Sequence, residues 1–202
     1  MKMVLSTVLA LAAAFSAPAL ALAVESPQDL VVNTTHEVLQ VLRDNRERVA
    51  SDPAYVRKLV NEKIVPHLDF EIMTRLAVGK YWNDASASQQ ASLVEEFRNL
   101  LLHTYTKSLS EYKDQRIEFR PFQPEARDDR AVVRSQFQSD GAQPVPVDYK
   151  LRRTDDWKIY DITIDSISLV TNYRASFGAE LEKGGVAGLI ASLQRKNTEL
   201  GP

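Results

Sequence analysis

Two carboxylates near the end of a strand-like segment are the residues best placed to do chemistry. Asp161 and Asp165 recur on one face of the run that starts at Trp157, beside Tyr149 and Tyr160. A carboxylate buried near tyrosines can act as a general base with a phenolic oxyanion partner. The same acids can equally face solvent or cap the next helix, which is the default for exposed carboxylates. The histidines His36, His67 and His103 are scattered, with no His-x-x-x-His pair and no cysteine to join them. Zinc wants three or four converging ligands, so no metal site is expected. The chain has neither a Gly-x-Ser-x-Gly elbow nor a Gly-x-x-x-x-Gly-Lys-Ser/Thr phosphate loop, which removes two common routes to hydrolysis.

Charge offers a second kind of chemistry. Arg116, Arg120, Arg127, Arg130, Arg134, Lys150, Arg152, Arg153 and Lys158 crowd into one stretch, mostly alternating with apolar residues. They read as one polar face of a sheet. A solvated face is the simple interpretation; docking to an acidic partner or a phosphate headgroup is the sharper one.

The elements that must position these groups begin with helices. Ser26-Pro27-Gln28-Asp29 is a helix start, and an apolar stripe continues to about Arg48. Asp52-Pro53 opens a second helix that Pro66 ends, and a third runs from about Asp69 to Gly79. Tyr81-Trp82 falls in the following turn. Ser86-Ala-Ser-Gln89 is a capping box for the longest helix, Ala87 to Lys113, striped by Leu93, Phe97, Leu100, Leu101, Tyr105, Leu109 and Tyr112.

The apolar period then drops from 3.6 to 2. Four strands are predicted around Ile117–Phe119, Val132–Phe137, Val145–Leu151 and Trp157–Ile164, with short connections that favour an antiparallel meander. The last is apolar on both faces and should be central or carry a bulge. Helices over Ile167–Lys183 and Val186–Lys196 follow, separated by Gly184-Gly185. The expected fold is a single α+β domain. N-terminal helices and one long helix pack on a curled antiparallel sheet of about four strands, closed by C-terminal helices.

The first 23 residues stand apart. Lys2 is the only charge before Glu25, Met3–Phe15 is almost wholly apolar, and Ala21-Leu22-Ala23 follows Pro18. This is the pattern of a signal peptide cleaved after Ala23, leaving a domain of residues 24–202. The stretch Met3–Ala23 is long enough to span a bilayer, but its apolar centre is short and no basic flank follows. Without Lys2, 24 Lys and Arg face 27 Asp and Glu, a formal charge of −3 that gives no general pull towards nucleic acid or anionic membrane. With no cysteine there are no disulfides and no thiol to carry a lipid anchor.

Large apolar groups are dense on the elements that would face each other, and the tyrosines among them suit either a packed core or a cavity with one wet end. On particular blocks the chain resembles the MlaC family of periplasmic phospholipid shuttles, also described as toluene-tolerance auxiliary proteins. These blocks are Leu68-Asp-Phe70 with Gly79-Lys-Tyr-Trp82, Phe97–Tyr105 with Leu109 and Tyr112, Pro144–Leu151, Trp157–Asp161, Ser168–Arg174 with Phe177, and Gly188–Leu193. The resemblance spans residues 27–197, with one departure at Asp165-Ser166, where a glycine is expected.

That resemblance implies a periplasmic carrier, not an enzyme, with a bound phospholipid as cargo, no other cofactor and an apolar cavity between helices and sheet. It implies as partners an inner-membrane ABC transporter complex with an MCE-domain subunit and an outer-membrane lipoprotein–porin complex, with the carrier a monomer. The tail-binding residues expected on this basis are Phe97, Leu101, Tyr105, Leu109, Phe119, Val133, Val147, Tyr149, Leu151, Ile162, Leu169 and Tyr173. Two other readings stay open: a small enzyme on an apolar substrate using Asp161 or Asp165, and an envelope adaptor whose interior is simply filled.

Overall fold

The computed structural model describes residues 25–110, 115–125, 127–139, 141 and 143–201. The signal-peptide segment and Tyr112 lie outside these residues. Helix α1 (Pro27–Asp44) starts where expected, with the Ser26 hydroxyl accepting from the Asp29 amide at 3.0 Å. Its stripe was expected to run on to Arg48, but Asn45 leaves the helical region and donates its side-chain amide to the Val41 carbonyl, 2.9 Å. That carbonyl also takes the Asn45 backbone amide, so the side chain adds a second bond to the last turn as the helix stops. A short α2 (Arg46–Ser51) follows, and Asp52 then caps α3 (Pro53–Lys63) through the Tyr55 amide.

Helix α4 (Phe70–Val78) is capped by Asp69 and ends at Gly79, whose φ of 65° suits a residue without Cβ. A Cβ on Gly79 would also meet the Arg174 guanidinium at 3.2 Å. Tyr81 and Trp82 sit in a 3-10 turn. The capping box of α5 (Ala87–Ser110) forms reciprocally: the Gln89 amide donates to the Ser86 hydroxyl, and the Ser86 amide to the Gln89 side chain.

The sheet has five strands in the order β1-β2-β3-β4-β5, all neighbours antiparallel: β1 Arg116–Phe119, β2 Arg130–Gln138, β3 Val145–Arg153, β4 Trp157–Ile164 and β5 Ile167–Ser168. The fifth strand was expected to be the first turn of a helix. Asp165 and Ser166 both take positive φ (47° and 66°), so a two-residue hairpin folds Ile167 back beside Ile164. Asp tolerates this region better than most residues, which is how the turn forms without the expected glycine. Helix α6 therefore begins at Leu169 and runs to Leu200, with one interruption at Gly185, where φ is 60°.

Pairing register sorts the sheet into two faces. Ile117, Phe119, Val133, Ser135, Phe137, Val147, Tyr149, Leu151 and Ile162 share the inner face; Arg130, Arg134, Lys150, Arg152 and Lys158 share the outer one. Pairing shifts from Lys150–Asp161 to Leu151–Ile159, leaving Tyr160 as an extra, bulged residue of β4. The bulge sends Tyr160 towards the helices and accounts for a strand apolar on both sides.

Buried side chains form three clusters. The first joins α4, the N-terminal half of α5 and α6 around Phe97; the second joins Leu30 and Val31 of α1 to the sheet; the third joins α1, α2 and α3. Asp69 links helix and sheet. It caps α4 and accepts from the Arg152 guanidinium at 2.5 Å, while its amide donates to the Ile159 carbonyl. Asp69→Ala should therefore cost about 2 kcal/mol, from the lost cap and a stranded, mostly buried guanidinium. A urea midpoint indistinguishable from wild type would contradict that role.

Candidate functional site

The carboxylates do not assemble as general-base chemistry requires. Asp161 is buried on the outer side of β4 and accepts three hydrogen bonds. Lys150 Nζ (3.0 Å) and Ser168 Oγ (2.8 Å) donate to Oδ2, and the Val170 amide (3.2 Å) donates to Oδ1. Ser168 is the N-cap of α6, so Asp161 sits at the positive end of that helix. Asp165 is exposed in the hairpin turn. Tyr149 lies on the inner face and Tyr160 packs with the helical cluster, so the expected constellation is split between two sides of the sheet.

Among the described residues, no three His, Asp or Glu side chains converge to hold a metal ion. His36 meets Phe119 edge-on at 6.1 Å, and burial, followed by the Lys158 charge, pushes the imidazole of His67 below its usual range. On the outer sheet face Arg134 pairs with Asp148, Lys150 with Asp161 and Arg152 with Asp69. Arg130 reaches Asp129 and lies over the Tyr160 ring. Much of that basic stretch is thus neutralised from within.

The inner face is different. Among the described residues, α1 packs against β2, while α4 and α6 pack against β4; α5 packs with α3, α4 and α6. The long helix thus makes its main contacts with other helices. Phe97, Leu101 and Leu169, buried, join Tyr173 in the helical cluster, with the Phe97 ring 4.9 Å from Tyr173 and 5.1 Å from Phe177. Val133 and Leu151, both with no measurable exposure, pack with Phe119, Tyr149 and Ile162 on the sheet. Leu109 joins the third cluster beside Ile117, and Val147 is buried mid-strand. Tyr105 is 39% exposed. The twelve expected residues are therefore distributed over three packed clusters, with Val147 buried mid-strand and Tyr105 exposed, instead of forming one set.

Three phenols lie among these groups. Burial pushes the Tyr149 phenol above its usual range, partly offset by hydrogen bonds with Ser135 on the sheet and Thr35 on α1. Tyr173 is raised by burial and hydrogen-bonds Thr104; Tyr105 is raised by burial and by the neighbouring Tyr173. All three are neutral at physiological pH. At one end of the sheet Val145, Ile164 and Ile167 are exposed, the last at 63%. Period-2 alternation points to Val145 and Ile164 in retrospect. No local signal points to Thr35 or Ser135, because their role depends on α1 meeting the sheet.

Comparison with known proteins gives this geometry a family. The MlaC protein family matches residues 32–195. The chain belongs to the MlaC family. It is 24% identical over 191 residues to the intermembrane phospholipid transport system binding protein MlaC of Haemophilus influenzae, covering 92% of this chain and 89% of that one. It is 29% identical over 181 residues to the toluene tolerance protein ttg2D of Pseudomonas putida, covering 88% and 82% of the two. Its fold is similar to that of a phospholipid-binding protein from Ralstonia solanacearum, solved in complex with a phospholipid. The TM-score is 0.81 at 32% identity, over 88% of this chain and all of that one.

Tyr149 allows a test of this burial. Its folded pKa lies above the ordinary value of 10.0, so the folded chain keeps a proton that the unfolded chain releases. That contribution to stability is complete below pH 10 and is lost as the pH rises from there through the folded value. Tyr149→Phe should cost about 1 kcal/mol near neutrality through the lost hydrogen bonds, yet lose less than wild type on going to alkaline pH. Denaturant midpoints on both sides of the phenol range would read this; parallel pH dependences would contradict it.

Proposed function

We propose that this MlaC-family chain is a phospholipid carrier in the periplasm, released there by cleavage after Ala23 and carrying its cargo between the outer and inner membranes. The observation that carries the reading is the match, over 88% of the chain, to a fold solved with a phospholipid bound. The apolar inner face of the sheet supports it, with Phe119, Tyr149 and Ile162 only partly buried there: in this reading the cargo lies in a seam between that face and α5. Helix α5 has 24 residues and is about 36 Å long, while one acyl tail spans about half of a 30 Å hydrocarbon core. Among the described residues no helix is long and apolar enough to cross a membrane.

In this reading the tails lie against the half-buried groups Tyr105, Leu109, Phe119, Tyr149, Ile162 and Tyr173, with Val147 between them. The buried Phe97, Leu101, Val133, Leu151 and Leu169 form the walls behind. The headgroup stays at the wet end, near Val145, Ile164 and Ile167. Burying two chains of about sixteen carbons is worth roughly 25 kcal/mol at about 0.8 kcal/mol per CH₂. Release into water is therefore forbidden, whereas exchange with a bilayer nearly cancels, because both surroundings are apolar. Direction must come from an energised partner, since the chain has no phosphate-binding loop of its own.

That partner is the ATP-driven inner-membrane transporter with its MCE-domain subunit, and the outer-membrane lipoprotein–porin complex serves the other end. The chain works as a monomer, takes no cofactor and performs no catalysis: the lone pairs of Asp161 are already engaged by Lys150, Ser168 and Val170.

Organic extraction and mass spectrometry of the purified chain should return about one phospholipid per molecule, as expected of a site that buries most of its ligand. Tyr105→Asp and Ile162→Glu should each lower that occupancy severalfold while circular dichroism shows a folded protein. A folded wild type that yields no lipid would defeat the carrier reading.

A further inference from the structure

Asp161 is the buried acid that the carrier reading leaves without a role. Its position is unusual. It lies one residue past the bulge at Tyr160, on the strand whose next residue, Ile162, faces the seam. On the other side it receives the first turn of α6: the Ser168 hydroxyl donates to Oδ2, and that hydroxyl also accepts from the Thr171 amide, closing the helix cap. The Val170 amide donates to Oδ1, and Lys150 from β3 supplies the counter-charge. One carboxylate thus fastens two strands to one helix end.

The helix so held reaches α5. One turn on, Tyr173 packs against Phe97 of α5 and hydrogen-bonds Thr104 of the same helix. The start of α6 is therefore a strut, anchored to the sheet by Asp161 and to α5 by Tyr173. The length and angle of that strut fix how α5 stands relative to the strands. A carboxylate already stripped of water holds its end firmly, because freeing it means burying an unpaired charge or rehydrating it.

We propose that Asp161 is a positioning residue for lipid retention: by fixing the start of α6 against β3 and β4 it sets the width of the seam, and hence the rate at which a bound phospholipid leaves. The proposal rests on the carrier reading. It needs no contact between Asp161 and lipid, and it assigns Lys150 and Ser168 the same task.

The test loads the purified full chain with a tail-labelled fluorescent phosphatidylethanolamine and follows transfer to unlabelled phosphatidylethanolamine–phosphatidylglycerol vesicles. Asp161→Asn keeps an acceptor for the Val170 amide but turns its amino group towards Lys150 and Ser168. It should load as fully as wild type and release about tenfold faster, with faster hydrogen exchange at the Val170 and Thr171 amides. Val56→Ala, in the separate cluster of α1, α2 and α3, is the control: adjusted by temperature to the same distance from its melting midpoint, it should release as slowly as wild type.

Release from Asp161→Asn at the wild-type rate would overturn the proposal, and so would equal acceleration in Val56→Ala, which would make the effect one of general stability. Should Asp161→Asn not fold, Ser168→Ala, which removes one donor and leaves the Lys150 pair, decides the matter by the same two readouts. A wild-type chain that takes up no labelled lipid would instead defeat the carrier reading, and this proposal with it.

Discussion

The helices are attached to the sheet along two lines, α1 on β2 through inner-face residues and α4 with α6 on β4 through the outer-face residues Arg152, Lys150 and Asp161. Everything else in the molecule follows from that spacing. Apolar burial normally draws a long helix down onto a sheet, at about 25 cal/mol for each Å² removed from water. Here α5 is satisfied elsewhere. Leu93, Phe97, Leu100 and Leu101 are consumed by α4 and α6, and its later turns face α3. At one end of the strands Val145, Ile164 and Ile167 stay exposed.

The two lines of attachment are chemically unlike. On the β2 side the contact is apolar, Leu30 and Val31 against Ala131, Val133 and Leu151, with a hydroxyl contact from Thr35 through Tyr149 to Ser135. On the β4 side it is ionic and directional. Asp69 joins α4 to Arg152, and Asp161 joins α6 to Lys150. Apolar contacts tolerate sliding, whereas buried charged hydrogen bonds fix an angle. The same pairings consume much of the basic charge on the outer sheet face.

Much of the fold was legible because its signals are local. Ser26, Asp52, Asp69 and Ser86 each cap the helix their spacing announced, since a cap needs only three residues of context. The apolar character of both faces of Trp157–Ile164 pointed to a central or bulged strand, and Tyr160 is that bulge. The failures are as specific. The stripe of α1 was carried past Asn45 because its side-chain bond to Val41 leaves no trace in apolar periodicity. Ile167-Ser168 reads as helix by composition and becomes strand only because Asp165 and Ser166 accept left-handed conformations. Its pairing with Ile164 then places a large apolar residue on the surface, which no propensity foretells.

Periodicity, caps and turns depend on neighbours a few residues apart, so the sequence by itself determined the α+β class, the meander and the family blocks that identify the chain. Whether a large apolar residue fills a core or lines a seam depends on what arrives from far away in the chain. Phe97 and Tyr105 lie on one helix, yet Phe97 is enclosed by α6 and Tyr105 stands half exposed. Asp161 and Asp165 lie on one strand pattern, yet one anchors a helix and the other turns a hairpin. Only the tertiary structure decided these, because burial and hydrogen-bond partnership are properties of the assembled surroundings and not of the residue or its spacing.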